Sequence, residues 1–161
     1  MEGALMNLSR GLIAVACTVF AGAMPAHAWW QYAEWGLSQS QIVSASSGQA
    51  VPCRPDAPAC ARTPSGGQPS IFVPSTQMLG MPASVAFTFN GAGGLSETTV
   101  LFTDADFAMI SGLLLGIQGQ PVEDRQAAGK VWRDQRRGST ITAMPAGRGT
   151  RVTYRPTTPA G

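Results

Sequence analysis

Histidine is almost missing from this 161-residue chain: His27 is the only one, and it lies beside an N-terminal apolar run. Serine–histidine and cysteine–histidine nucleophilic catalysis need an imidazole base, and most zinc sites need imidazole ligands. A chain shortened past residue 28 has no histidine, so those chemistries are excluded from it and no metal or other cofactor is expected. Cysteine is scarce, three in all, and charged residues make up only 12 %. Long apolar runs are also lacking. The uncharged stretch Gly11 to Met24 falls short of the roughly 20 residues that span a bilayer.

That stretch has the features of a secretory signal. Arg10 precedes it, although Glu2 weakens the charge of the leading segment. Pro25 breaks the apolar helix, and Ala26 and Ala28 place small residues at −3 and −1 of a cleavage point. The expectation is a signal peptide over residues 1–28, cleavage after Ala28, and a periplasmic or secreted product. A retained anchor is the competing reading. Lipidation at Cys17 is another, with a poor match in Ala14-Val15-Ala16. Cleavage removes Cys17 and leaves Cys53 and Cys60, an even pair bound for an oxidising space, which predicts a disulfide. Their spacing is not the C-x-x-C of redox proteins. Closing so short a loop restrains the unfolded chain by about 2–3 kcal/mol at most. Cleavage also removes one acid, Glu2, and one base, Arg10, so the net charge stays at +2.

The rest reads as one domain over 29–156, with a disulfide-clipped, Pro/Gly/Ser-rich loop at 48–69 and a frayed tail at 157–161. Ser38 and Gln41 have capping-box spacing, and Leu37 with Ile42 forms a hydrophobic staple, so a helix is expected from Gln39 to Ser47. Strands follow at 71–79, 84–90 and 95–102, the last two joined by a glycine turn after Asn90. A second helix is expected over 103–119, capped by Thr103, with Phe107, Ile110, Leu114 and Ile117 as its core stripe. Further strands are expected at 130–132, 140–144 and 150–155. The order αβββαβββ implies a two-layer α+β fold. Its antiparallel sheet has about six strands, with two helices on one face and water on the other. The order hints at a duplication, without a residue-level repeat.

Trp35-Gly36-Leu37-Ser38, Phe87-Thr88-Phe89 with its glycine turn and Leu95, and Gly119-Gln120-Pro121 followed by Trp132 resemble motifs of small exported bacterial α+β domains. These are the β-lactamase inhibitor protein-like and outer-membrane assembly lipoprotein-like (SmpA/OmlA-like) types. The resemblance implies work by protein–protein contact without catalysis. The cysteine loop departs from the pattern, and no binding residue is carried over from it.

Other chemistries have thin support. Asp104 with Asp106, and Glu123 with Asp124, are the local acid pairs; helix capping explains the first and solvation the second. "NGAGG" at 90–94 lies between strands, where a phosphate loop would join strand to helix. From Arg125 to Arg155 eight basic residues face one acid, Asp134. Arg133, Arg136, Arg137, Arg151 and Arg155 form a candidate interaction surface; a solvated sheet face is the plainer alternative. Export argues against nucleic acid as the partner and favours another envelope protein or an anionic envelope component. Trp29, Trp30 and Tyr32 are either an aromatic contact for a ligand or, the plainer reading, core. Two functions remain: an exported, non-enzymatic binding or protein-interaction domain, and a histidine-free envelope enzyme using a carboxylate pair on cell-wall polymer.

Overall fold

The computed structural model describes residues 27–157, with the backbone alone for 27–30. The signal-peptide expectation falls almost wholly outside the described residues, as does the tail past Thr157. A ribbon opens the fold, β1 (His27–Trp30) against β2 (Ala33–Glu34). Helix α1 (Gln39–Ala45) follows. Its capping box is formed: the Gln41 N–H donates to the Ser38 hydroxyl, and the Ser38 N–H donates to the Gln41 side chain at 2.8 Å. The helix ends short of Ser47 because the Ser46 hydroxyl turns back to the Val43 carbonyl, at 2.7 Å, and accepts the Ala50 N–H, at 3.0 Å.

The remaining chain is β3 (Val51–Pro52), a long connection, β4 (Ile71–Met78), β5 (Met81–Phe89), β6 (Leu95–Phe102), α2 (Phe107–Gln118), β7 (Glu123–Asp124), β8 (Lys130–Asp134), β9 (Ser139–Ala146) and β10 (Gly149–Pro156). Short 3-10 turns, Pro58–Cys60 and Gln126–Ala128, interrupt the connections before β4 and β8. The class is α+β, one antiparallel sheet with two helices. The sheet has eight strands, in the order β3-β4-β5-β6-β10-β9-β8-β7, where about six were expected. The additional strands β3 and β7 are two residues long, too short to show alternation.

The element order after the ribbon is α, short strand, 3-10 turn, three strands, and then the same again. The sheet order matches: each half contributes four neighbouring strands, and the halves meet where β6 pairs with β10, in register Val100 with Val152. The element order that hinted at a duplication in the sequence thus recurs in the two halves of the sheet.

Both helices lie on the first face. Ile42 of α1 and Ile110 and Leu114 of α2 share one core with Val85, Phe87, Val100, Phe102, Ile141, Val152 and Tyr154. Trp132 is buried in it, its indole donating to the Gly119 carbonyl at 3.0 Å. Two expectations for α2 are corrected. Its cap is Asp106, whose carboxylate accepts the Met109 N–H at 2.8 Å, and Thr103 precedes the helix. Ile117 is 51 % exposed, because the last turn of α2 faces a groove beside the β8–β9 turn and not the core.

The second face is not simply wet. Residues 53–70, clipped by the Cys53–Cys60 disulfide, fold over it as a flap. Ala57, Ala59 and Cys60 pack on Phe72, Ala86 and Leu101 of β4–β6. The first half-repeat has thus lengthened its connection between short strand and meander into a cover. In the second half the same connection, residues 125–129, is only a short turn. The second face of β8–β10 therefore has no flap of its own.

Candidate binding surface

Side chains on the second face fall into three cross-strand rows. Val131, Thr142, Thr153, Thr99, Ala86 and Phe72 form the middle one. On one side of it run Arg133, Thr140 and Arg155, continued by Glu97 and Thr88; on the other run Met144, Arg151, Leu101 and Ser84. Strands lie about 4.8 Å apart, so Arg133 and Arg155 flank Thr140 at about 10 Å from each other. The flap covers the β4–β6 end of these rows and stops near β10. Asn90, Ser96, Thr140, Thr142 and Arg155 border a shallow groove of about 500 Å³ beside it.

Polar contacts fix the flap's edge. The Ser65 hydroxyl donates to the Glu97 carboxylate at 2.5 Å, and Arg155 lies 3.5 Å from the same oxygen. Arg151 donates to the Pro58 carbonyl at 3.4 Å. Gly67 permits this approach: a Cβ there would meet Thr63 Oγ1 at 3.0 Å and Thr88 Cγ2 at 3.1 Å. Beneath lies a polar seam. The Glu97 Oε1, Thr88 Oγ1, Thr99 Oγ1 and Arg151 Nε atoms are buried without a hydrogen-bond partner among the described residues.

The five arginines do not form one patch. Arg133 is exposed on the bare half of the face, and Arg136 is exposed at the β8–β9 turn; neither has a carboxylate within ion-pair distance among the described residues. Arg137 lies 3.7 Å from Asp134, Arg155 belongs to Glu97, and Arg151 is half-covered by the flap. Thr140 and Thr142 join the surface, and buried Glu97 holds the flap beside it, although the sequence did not single them out. The available signal was parity: Glu97 and Thr99 alternate with Thr98 and Val100, and a bulge between Thr88 and Phe89 obscures it.

Trp29 and Trp30 lie in β1, where only the backbone is described, and Trp30 pairs with Ala33. Tyr32 and Trp35 pack against the main core. The acid pairs have structural partners. Asp106 caps α2 and Asp104 accepts the Thr103 hydroxyl at 3.3 Å. Glu123 pairs with Arg125 at 2.6 Å and Asp124 with Lys130 at 3.0 Å. The Lys130 hydrogen bond, helped by the Gln126 N–H, holds the Asp124 carboxyl below the usual carboxylate range. Among the described residues no group of three or more histidine, cysteine or acid side chains converges as metal ligands would, and no helix is long and apolar enough to cross a membrane. No family model, curated protein or solved structure matches this chain.

Proposed function

We propose that the protein is an exported binding domain that acts by contact and not by catalysis, and that the bare half of the second face is its contact surface. One observation carries the reading. The first half-repeat covers its share of this face with a flap, whereas the second leaves Arg133 exposed and Thr140 and Thr142 half-exposed on the sheet. Rigid strands lose little entropy on binding, and a row of hydroxyls edged by guanidinium groups suits an acidic protein segment. Arg133 in particular has no carboxylate partner of its own among the described residues. The resemblance noted in the sequence analysis points to the same mode of action. Export rests on residues 1–28, and N-terminal sequencing of the mature protein should begin at Trp29.

The test is site-directed photo-cross-linking in intact cells. A cross-linker at Thr142 should capture one discrete protein, and one at Ser44, on the outer side of α1, should not. Replacing Arg133 with Glu should reduce the yield roughly tenfold, the size expected when a hot-spot charge is reversed. No specific adduct from Thr142, or the same adducts from both positions, would refute the surface. Capture of an anionic glycolipid in place of a protein would refute the partner class.

A further inference from the structure

Helix α2 is apolar all the way round. Ile110 and Leu114 belong to the core, yet Met109, Leu113, Leu115 and Ile117 are 39–53 % exposed, and none of the twelve residues is charged. Among the described residues, the other large exposed apolar side chains are Val122, just past the helix, and Val51. A helix of this composition is normally covered on every side. Helix α1 is an internal control: it holds the matching place in the other half-repeat, over the same face, and its outward residues are Gln39, Ser40, Gln41 and Ser44. Covering the sheet does not require an apolar outer side.

Gly112 and Gly116 lie on that outer side. Glycine is among the weakest helix formers. Neither position has a positive φ, and a Cβ added at either would meet nothing within 4 Å. Nothing among the described residues calls for glycine there.

We propose that this side of α2 is covered by α2 of a second copy, antiparallel about a two-fold axis passing between Gly112 and Leu113. That axis sets Met109 against Gly116 of the other copy and Leu113 against its Gly112, so each large side chain enters the space a glycine leaves. Charge fits the same arrangement. Asp104 and Asp106 precede α2, and Arg133, Arg136 and Arg137 border the groove at its far end with Ile117 and Gln118. Antiparallel pairing brings the acidic end of one copy to the basic end of the other, twice over. A bilayer of anionic lipid would suit the arginines but meet Asp104 and Asp106 with like charge, which favours the second copy. A helix about 18 Å long covers less than the roughly 800 Å² per partner of a standard interface. The flanking turns therefore take part, and the dimer is weak, in the micromolar range. This contact lies on the first face and shares only Arg133 with the binding surface on the second.

The test is sedimentation equilibrium of the purified protein over a concentration series. A monomer–dimer equilibrium is expected, with Leu113→Arg weakening it at least roughly tenfold while the thermal midpoint of the dilute monomer stays put, since Leu113 is exposed. Asp104→Arg and Arg136→Asp should each weaken it, and the two together should restore it, because opposite charges then face one another again. A protein that is monomeric up to about 100 μM, a dimer indifferent to Leu113→Arg, or a double charge swap that fails to restore association would each overturn the proposal. So would a monomer that co-sediments with phosphatidylglycerol vesicles through Leu113.

Discussion

Tyr154 and Glu97 are buried on opposite faces of the β6–β10 seam and show two ways of burying a polar side chain. Burial pushes the Tyr154 phenol well above its ordinary ionisation range, so the folded protein keeps it neutral. The unfolded chain ionises it near pH 10. A folded-state value raised above the unfolded one gives stability that is complete below about pH 10 and declines as pH rises past it. In a Tyr32→Phe background, Tyr154 phenolate absorbance should therefore appear only as near-ultraviolet circular dichroism is lost. A phenolate signal by about pH 11 with the fold intact would contradict this. Glu97 is charged by type and is held by Ser65 and Arg155. Tyr154 was legible in the sequence as an inward residue of an alternating strand. Glu97 was not, because its burial depends on a flap that arrives from 32 residues away in the sequence.

At the scale of elements, alternation and capping chemistry carried most of the information. The long strands and the α1 box were legible because each has a periodic or paired signature. The start of α2 was not. Thr103, Asp104 and Asp106 are all cap-forming types in close succession, and the choice among them is made by where β6 lets go, after Phe102. The assignment to Asp106 is checkable. Asp106→Ala should cost about 1 kcal/mol in urea unfolding, whereas Thr103→Ala should stay within about 0.5 kcal/mol. The reverse ranking would return the cap to Thr103. The flap is the opposite case. A Pro- and Gly-rich segment has no period, so its sequence announces the disulfide but not which surface the loop lies on. The arginines were legible as a basic third of the chain, and their division among a flap anchor, an ion pair and free groups was not.

For the whole molecule the governing feature is the seam. Each half-repeat ends in its innermost strand, β6 in the first and β10 in the second, and the sheet becomes continuous only when these two pair. A chain stopped at Arg148 keeps every other long strand but leaves β6, nearly all of it buried in the finished fold, as a bare edge. Such edges recruit other chains. The truncated protein should aggregate on refolding, and a soluble, cooperatively unfolding product would contradict this reading of the seam. The order of synthesis gives the same geometry a meaning in time. A chain that crosses a membrane from its N-terminus delivers β6 some fifty residues before β10. The first half can fold its meander and close its disulfide while the second is still in transit. Throughout that interval the β6 edge waits for the eight-residue β10 to arrive. For a chain exported in this way, the hazard lies in the interval between the emergence of β6 and that of β10, and a slow or stalled channel would be felt there first.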